Sequence, residues 1–167
     1  MKRLTQTAVW FSMCLFLMAG SAAATTTFKL SNQFPPQHHI SKGLQFFAEK
    51  VKEYSKGEME VQIFDSGALF RDAEIVKAIR NGSTETGLVP VNKWSGIMPA
   101  VDVFEVPFAF AKLSSFGEFL NGGAASLFDE AFASYGAKDL FWVDYGYVQF
   151  FNNKRPLKTP ADFQGLT

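Results

Sequence analysis

The stretch TFKLSNQFPPQHHISKGLQFFAEKVKEYSKGEMEVQIF, residues 27–64, decides the fold of this chain. Its first five residues, 27–31, predict a strand, which the Pro35-Pro36 pair ends because proline has no backbone N–H to donate. Residues 59–64 alternate apolar and polar side chains and predict a second strand. A helix pattern separates the two strands, so the stretch predicts a right-handed βαβ unit with parallel strands.

The helix between these strands is predicted from its ends and from the spacing of its apolar residues. Ser41 is expected to cap the N-terminus, and Gly57 to follow the C-terminus. Apolar side chains recur at i, i+3, i+4 and i+7, at Leu44, Phe47, Ala48 and Val51. One face of this helix is therefore expected to lie in the core.

Strand and helix patterns continue to alternate along the rest of the chain. This alternation is typical of an α/β fold with a mainly parallel, doubly wound sheet, because helices must then cover the faces of the sheet. The further predicted elements are a helix capped by Asp72 that buries Ile75, Ala78 and Ile79, strands at 85–89, 101–106 and 138–151, and two helices separated by Asn121-Gly122-Gly123.

The N-terminus has the features of an export signal. Lys2 and Arg3 precede an uncharged run over residues 8–20, and Ala22-Ala23-Ala24 fits a small-x-small cleavage site. Residues 1–24 are thus predicted to be a signal peptide, with the mature protein beginning near Thr25. The alternative is a membrane anchor, but the apolar run is shorter than the roughly 20 residues that a spanning helix needs.

Composition excludes several functional classes. Cys14 is the only cysteine and lies in the predicted leader, so the mature chain has no thiol for a disulfide, a thiolate metal site or a cysteine nucleophile. Of 16 basic residues, Lys2 and Arg3 belong to the leader, which leaves 14 against 16 acidic residues and a net charge of about −2. No basic field remains to hold nucleic acid.

Five short motifs, in this order, carry a resemblance to a known family. They are G-x-x-x-F-A-x-x-V-x-x-x-S-x-G at 43–57, the stretch 61–69, Ile79-Arg80-Asn81-Gly82-Ser83, Val106-Pro107-Phe108, and N-K-x-P-x-K-T-P-x-D-x-x-G-L at 153–166. In them the chain resembles the DctP-type solute-binding proteins of tripartite ATP-independent periplasmic (TRAP) transporters. The likeness runs from about Phe28 to Leu166, and the last motif is the most specific.

The resemblance implies a periplasmic, non-catalytic protein of two α/β lobes that close on a small organic acid without a cofactor. It implies delivery of this acid to a small and a large integral membrane subunit. Residues 25–167 would be the first lobe, truncated before the second. The arginine that binds the ligand carboxylate in the family would lie a few residues beyond Thr167. A guanidinium suits this role because its paired N–H donors match the two carboxylate oxygens.

Ligands of a doubly wound sheet lie beyond the carboxyl ends of its strands, which nominates the loops at Asn32, at 90–94 and near Glu105. Asn32 is expected either to contact the ligand or to close an Asx turn. Many family members have an arginine where this chain has Val148. Its loss, together with the aromatic residues Phe34, Trp94 and Tyr147, suggests a bulkier or more apolar acid. The predicted ligand-binding residues are Asn32, Phe34, Asn92, Trp94, Tyr147 and Gln149.

Three other functions are alternatives for this sequence. The His38-His39 pair invites a metal site, but adjacent residues of an extended chain point apart, which favours a surface loop. A secreted hydrolase would have to use one of these two histidines, and no G-x-S-x-G motif presents a serine. An orphan binding protein that serves a sensor rather than a transporter has the same sequence features as a transport component.

Overall fold

The computed structural model describes residues 24–146 and 150–166. Its centre is a parallel three-stranded sheet of order β2-β1-β3, with β1 at Thr26–Ser31, β2 at Met59–Phe64 and β3 at Thr86–Gly87. β1 pairs with β2 along its whole length, and its last two residues also pair with β3. The predicted α/β class with a parallel sheet is confirmed. Most of the predicted signal peptide, including Cys14, lies outside the described residues.

Helix α1 spans His39–Tyr54 and connects β1 to β2. It begins earlier than predicted, because His38 rather than Ser41 is the N-cap: the Nδ1 atom of His38 accepts the backbone N–H of Ile40 at 3.3 Å. Ser41 lies inside the first turn and is fully buried. Ile40 and Leu44 are also buried, so the predicted core face of the helix is present but starts one turn earlier.

Helix α2 spans Asp72–Arg80. Asp72 was predicted to be its cap but is its first residue; the N-cap is Arg71, whose backbone N–H donates to the Glu74 carboxylate at 3.3 Å. A carboxylate in the first turn accepts an otherwise unpaired N–H and complements the helix dipole. The prediction that this helix buries Ile75 and Ala78 is confirmed, whereas Ile79 is only half-buried.

Gly87 of β3 lies directly over α2, and this contact leaves no room for a side chain. A Cβ at Gly87 would stand 2.7 Å from Cδ1 and 2.9 Å from Cγ1 of Ile75, which is fully buried. Gly87→Ala is therefore expected to lower the free energy of unfolding by about 1–3 kcal/mol, as overpacking of a core does. Urea unfolding followed by circular dichroism measures the change.

Gly43 provides the matched control for this prediction. It lies on the exposed side of α1, and a Cβ there would meet nothing within 4 Å. Gly43→Ala should raise the free energy of unfolding by about 0.5–1 kcal/mol, since alanine is the better helix former. Equal unfolding midpoints for the two variants would contradict the proposed packing of β3 on α2.

Three predicted strands differ from the structure. The strand predicted at 85–89 is reduced to β3. Of the strand predicted at 101–106, all residues but Val106 belong to a 3-10 helix at Pro99–Glu105. Val101 and Phe104 both reach the same core, and side chains at i and i+3 share one face of a 3-10 helix. Among the described residues of 138–151, none lies in a strand, because this segment finds no partner strand to pair with.

A second core lies beyond the sheet. A short 3-10 helix, Val91–Trp94, precedes the one at Pro99–Glu105, and helices α3 (Leu113–Phe119) and α4 (Ala125–Ser134) follow, joined by a π-helical turn at Leu120–Ala124. Gly123 has a φ of 107°, which breaks the helix where the glycine pair was predicted to break it. The buried residues of this core are Trp94, Met98, Val101, Ala124, Phe128 and Phe132. No helix within the described ranges is long and apolar enough to cross a membrane.

Candidate ligand-binding site

The loops that follow the three strands meet at one edge of the sheet. The backbone N–H of Asn32 donates to the carbonyl oxygen of Phe64 at 2.9 Å, and the N–H of Gly67 donates to the carbonyl oxygen of Asn32 at 2.9 Å. The N–H of Leu88 donates to the carbonyl oxygen of Ser31 at 2.9 Å. This is the carboxyl edge of a parallel sheet, where α/β proteins bind their ligands.

Asn32 lies at the centre of this edge and is fully buried. Its Nδ2 atom donates to Ser41 Oγ at 2.7 Å and to Asp65 Oδ1 at 2.6 Å, while its Oδ1 atom accepts the backbone N–H of Phe34 at 3.2 Å. The last bond closes an Asx turn, the second of the two roles considered for this residue. The Asn32 amide thus joins the loop after β1 to α1 and to the loop after β2.

Phe34 is half-buried and belongs to a continuous stack of four rings, which we call the ring column: His39, His38, Phe34 and Tyr145. The rings of Phe34 and His38 lie 4.2 Å apart and are nearly parallel, and those of His38 and His39 lie 4.4 Å apart. The Tyr145 ring packs against the Phe34 ring, with ring centroids 5.3 Å apart and an angle of 40° between the ring planes. The two histidines therefore belong to the aromatic surface beside the sheet edge.

Tyr145 was not among the predicted site residues, although a signal for it was present. It lies two positions before Tyr147, and alternate residues of an extended segment point to the same side. Its position depends on Trp142, whose ring contacts Phe104 and Phe128 in the second core. Trp142 Nε1 donates to Asp139 Oδ2 at 3.0 Å. Burial, together with the neighbouring Asp129, raises the pKa of the Asp139 carboxyl.

Trp94 and Asn92 occupy the same 3-10 helix but face different surroundings. Trp94 is only 4% exposed and meets Phe132 edge to face, with ring centroids 5.0 Å apart. Asn92 is exposed, and its backbone carbonyl accepts the N–H of Ser95.

The structure thus brings Asn32 and Phe34 together and places Trp94 in the second core. The other two predicted site residues, Tyr147 and Gln149, lie outside the described residues, as does Val148.

Arg71 is a further polar residue of this edge that the sequence did not nominate. Its Cγ atom lies 3.7 Å from the point where a Cβ on Gly67 would stand, and Gln33 Oε1 lies 3.1 Å from the same point. Gln33 Nε2 in turn donates to the carbonyl oxygen of Phe70 at 2.7 Å. The exposed Arg71 side chain therefore starts beside the loops after β1 and β2, and it carries a guanidinium, the cation best suited to a carboxylate.

The motif at 153–166 is held together by its own hydrogen bonds. Asn152 Oδ1 accepts the backbone N–H groups of Lys154 and Arg155 at 2.9 Å each, and the Arg155 guanidinium donates to the carbonyl oxygens of Asp162 and Gln164. The Asp162 carboxylate accepts the N–H of Lys158 at 2.9 Å and that of Thr159 at 2.7 Å. These two bonds lower the pKa of Asp162. Of the residues that make this motif specific, Asp162 fixes the backbone, whereas Asn152 precedes the motif and Arg155 stands at one of its unspecified positions.

The sequence matches the family of bacterial extracellular solute-binding proteins, family 7 (DctP), over residues 30–167. Among curated proteins, a solute-binding protein of Chromohalobacter salexigens is 24% identical over 95% of this chain and 47% of its own length. One of Verminephrobacter eiseniae is 28% identical over 87% of this chain and 44% of its own length. The chain spans about half the length of these relatives.

Solved structures of TRAP periplasmic solute-binding proteins are similar to this fold. One from a Sulfitobacter species, with bound β-D-galacturonate, is 26% identical with a TM-score of 0.78 over 84% of this chain and 47% of its own. One from Chromohalobacter salexigens, with bound D-glucuronate, is 25% identical with a TM-score of 0.78 over 83% and 46%.

A third structure, from Sulfurospirillum deleyianum with bound succinate, is 26% identical with a TM-score of 0.63 over 68% of this chain and 36% of its own. All three proteins have the α/β fold described above. The family match covers most of the chain and includes the end of β1, α1, β2, β3 and the motif at 153–166. This chain therefore belongs to the DctP family of bacterial extracellular solute-binding proteins, the solute-binding proteins of TRAP transporters.

Proposed function

We propose that this protein captures a small organic acid in the periplasm and delivers it to the two integral membrane subunits of a TRAP transporter. The single observation that carries the proposal is the interlocked carboxyl edge of the sheet, in a fold whose solved relatives hold galacturonate, glucuronate or succinate. Binding there is non-catalytic, and residues 1–24 act as the signal peptide for export.

Residues 25–167 form one lobe of the proposed clamshell, and a second lobe completes the site. A ligand that bridges two lobes favours the closed form by its difference in affinity for the two forms. Asn32, Phe34, Asn92, Trp94, Tyr147 and Gln149 remain our predicted ligand-binding residues; because Trp94 is buried in the second core, we expect it to act by holding the loop at 90–94 in place. Arg71 joins them as a cation at the same edge.

Cyclic sugar acids are the ligands we propose first. The likeness to the two uronate-bound structures extends over 84% and 83% of this chain, whereas the likeness to the succinate-bound structure covers 68%. A six-membered ring also fits the expectation of an acid bulkier than the aliphatic dicarboxylates. The aromatic surface formed by Phe34 and Tyr145 supports the same ligand class.

The full-length protein without its leader, screened by thermal unfolding, tests this function. D-Glucuronate and D-galacturonate should raise the Tm by several degrees, because a ligand at about 100 times its Kd stabilises the folded state by about 2.7 kcal/mol. D-Glucose is the matched control, since it has the ring but no carboxylate, and it should leave the Tm unchanged. Equal stabilisation by glucose, or no stabilisation by uronates, galactonate or succinate, would refute acid capture.

A further inference from the structure

The ring column has a fixed position at the sheet edge. Phe34 is held by the Asx turn of Asn32, and its carbonyl oxygen accepts the N–H of Ser66 at 3.0 Å. His38 is fixed through its backbone and its ring. Its backbone N–H donates to the carbonyl oxygen of Pro35 at 3.0 Å, and its ring caps α1. A surface that is rigid before binding loses little conformational entropy when a ligand docks on it.

Tyr145, the last member of the column, is held in a similar way. Trp142 anchors the preceding residues in the second core, and the N–H of Gly146 donates to Asp144 Oδ1 at 2.9 Å immediately after it. Yet Tyr145 is 68% exposed, although one part of its ring rests on Phe34. A large aromatic ring held in place but left open to solvent contributes little to the core and offers its free face to a ligand.

The chemistry of the exposed Tyr145 face favours ligands of a particular shape. An aromatic face is apolar and flat, so it packs best against another flat surface: the C–H face of a sugar ring or the plane of an aromatic ring. An open-chain acid has no such face and must also lose more torsional freedom to lie flat. The Tyr145 hydroxyl is in addition able to hydrogen-bond, but stacking alone suffices for discrimination.

We propose that Tyr145, supported by Phe34 and His38, is the stacking surface of the binding site and makes the protein select acids whose carboxylate is attached to a six-membered ring over open-chain acids. This inference rests on the proposed function. It adds a specificity-determining residue that neither the sequence motifs nor the family match indicates.

Calorimetric titration of the full-length protein with D-glucuronate and with D-gluconate tests the inference. The two acids have the same number of carbons and one carboxylate each, but only glucuronate forms a ring. Tyr145→Leu should weaken the affinity for glucuronate by about 3–10-fold, the range that an aromatic contact contributes, and change that for gluconate by less than about 2-fold. Tyr145→Phe keeps the ring and should bind both acids like the wild type.

Tyr54→Leu is the matched control. Tyr54 is similarly exposed, at 75%, but ends α1, and the 16 residues of that helix separate it from the site by about 24 Å. This variant should bind glucuronate like the wild type. The inference is overturned if Tyr145→Leu weakens the affinity for both acids equally or leaves the affinity for glucuronate unchanged. It is also overturned if Tyr145→Phe loses as much affinity for glucuronate as Tyr145→Leu does. If the wild type binds gluconate or succinate but no acid that contains a ring, the inference is overturned as well. The proposal of acid capture would then still hold.

Discussion

Replacing Trp94 with alanine is expected to lower the free energy of unfolding by about 3–5 kcal/mol, the range found when a large aromatic residue is removed from a core. Trp94 is almost fully buried, and its ring contacts Phe132 edge to face. The cavity left behind would lie between the 3-10 helix Val91–Trp94 and helix α4. Urea unfolding in the absence of ligand measures the loss.

Asn92→Ala serves as the control for this prediction. Asn92 lies two residues earlier in the same 3-10 helix and is exposed, so its truncation should change the free energy of unfolding by no more than about 0.5 kcal/mol. The comparison also separates two roles of Trp94. If Trp94→Ala unfolds like the wild type but loses affinity for glucuronate, Trp94 is a ligand contact and its assignment to the core is wrong.

Asn32→Ala is expected to cost about 3 kcal/mol of unfolding free energy, because one buried and two half-buried groups lose their partner at once. The Ser41 hydroxyl, the Asp65 carboxylate and the Phe34 N–H all hydrogen-bond to the Asn32 side chain. Each buried polar group left without a partner costs about 1–3 kcal/mol. Because this network joins α1 to two loops of the sheet edge, the loss should appear in the protein without ligand.

Asn152→Ala is the matched control, since the Asn152 side-chain amide likewise accepts and donates hydrogen bonds but is exposed. The loss of unfolding free energy in this variant should stay near 1 kcal/mol or below, because water replaces the missing partner.

Asn32→Asp tests the charge of the network. It sets a second carboxylate beside Asp65, so the destabilisation should be greatest at neutral pH and diminish as acid protonates one of the two groups.

The decisive result for Asn32 concerns ligand-dependent stability. If Asn32→Ala keeps the wild-type unfolding midpoint but is no longer stabilised by glucuronate, then Asn32 acts on the ligand rather than on the loops. If it unfolds early and the folded fraction still responds to glucuronate, the Asx turn explains its role.

The sequence by itself determined the elements whose signals are local. The strands at 27–31 and 59–64, the helix between them and the break at Gly123 follow from periodicity, proline and glycine, and all are present. The family was likewise readable from motifs that occur in a fixed order along the chain, among them those at 43–57 and 153–166. These features need no knowledge of distant contacts.

Only the tertiary structure decided the features that depend on a partner. A strand exists only when another strand accepts its hydrogen bonds, so the alternating residues at 101–106 became a 3-10 helix and the described part of 138–151 stayed unpaired. His38 replaced Ser41 as the cap because Asn32, nine residues from Ser41, bonds the serine hydroxyl. Phe34 and Tyr145 meet across more than a hundred residues, and such a contact is set by packing rather than by local spacing.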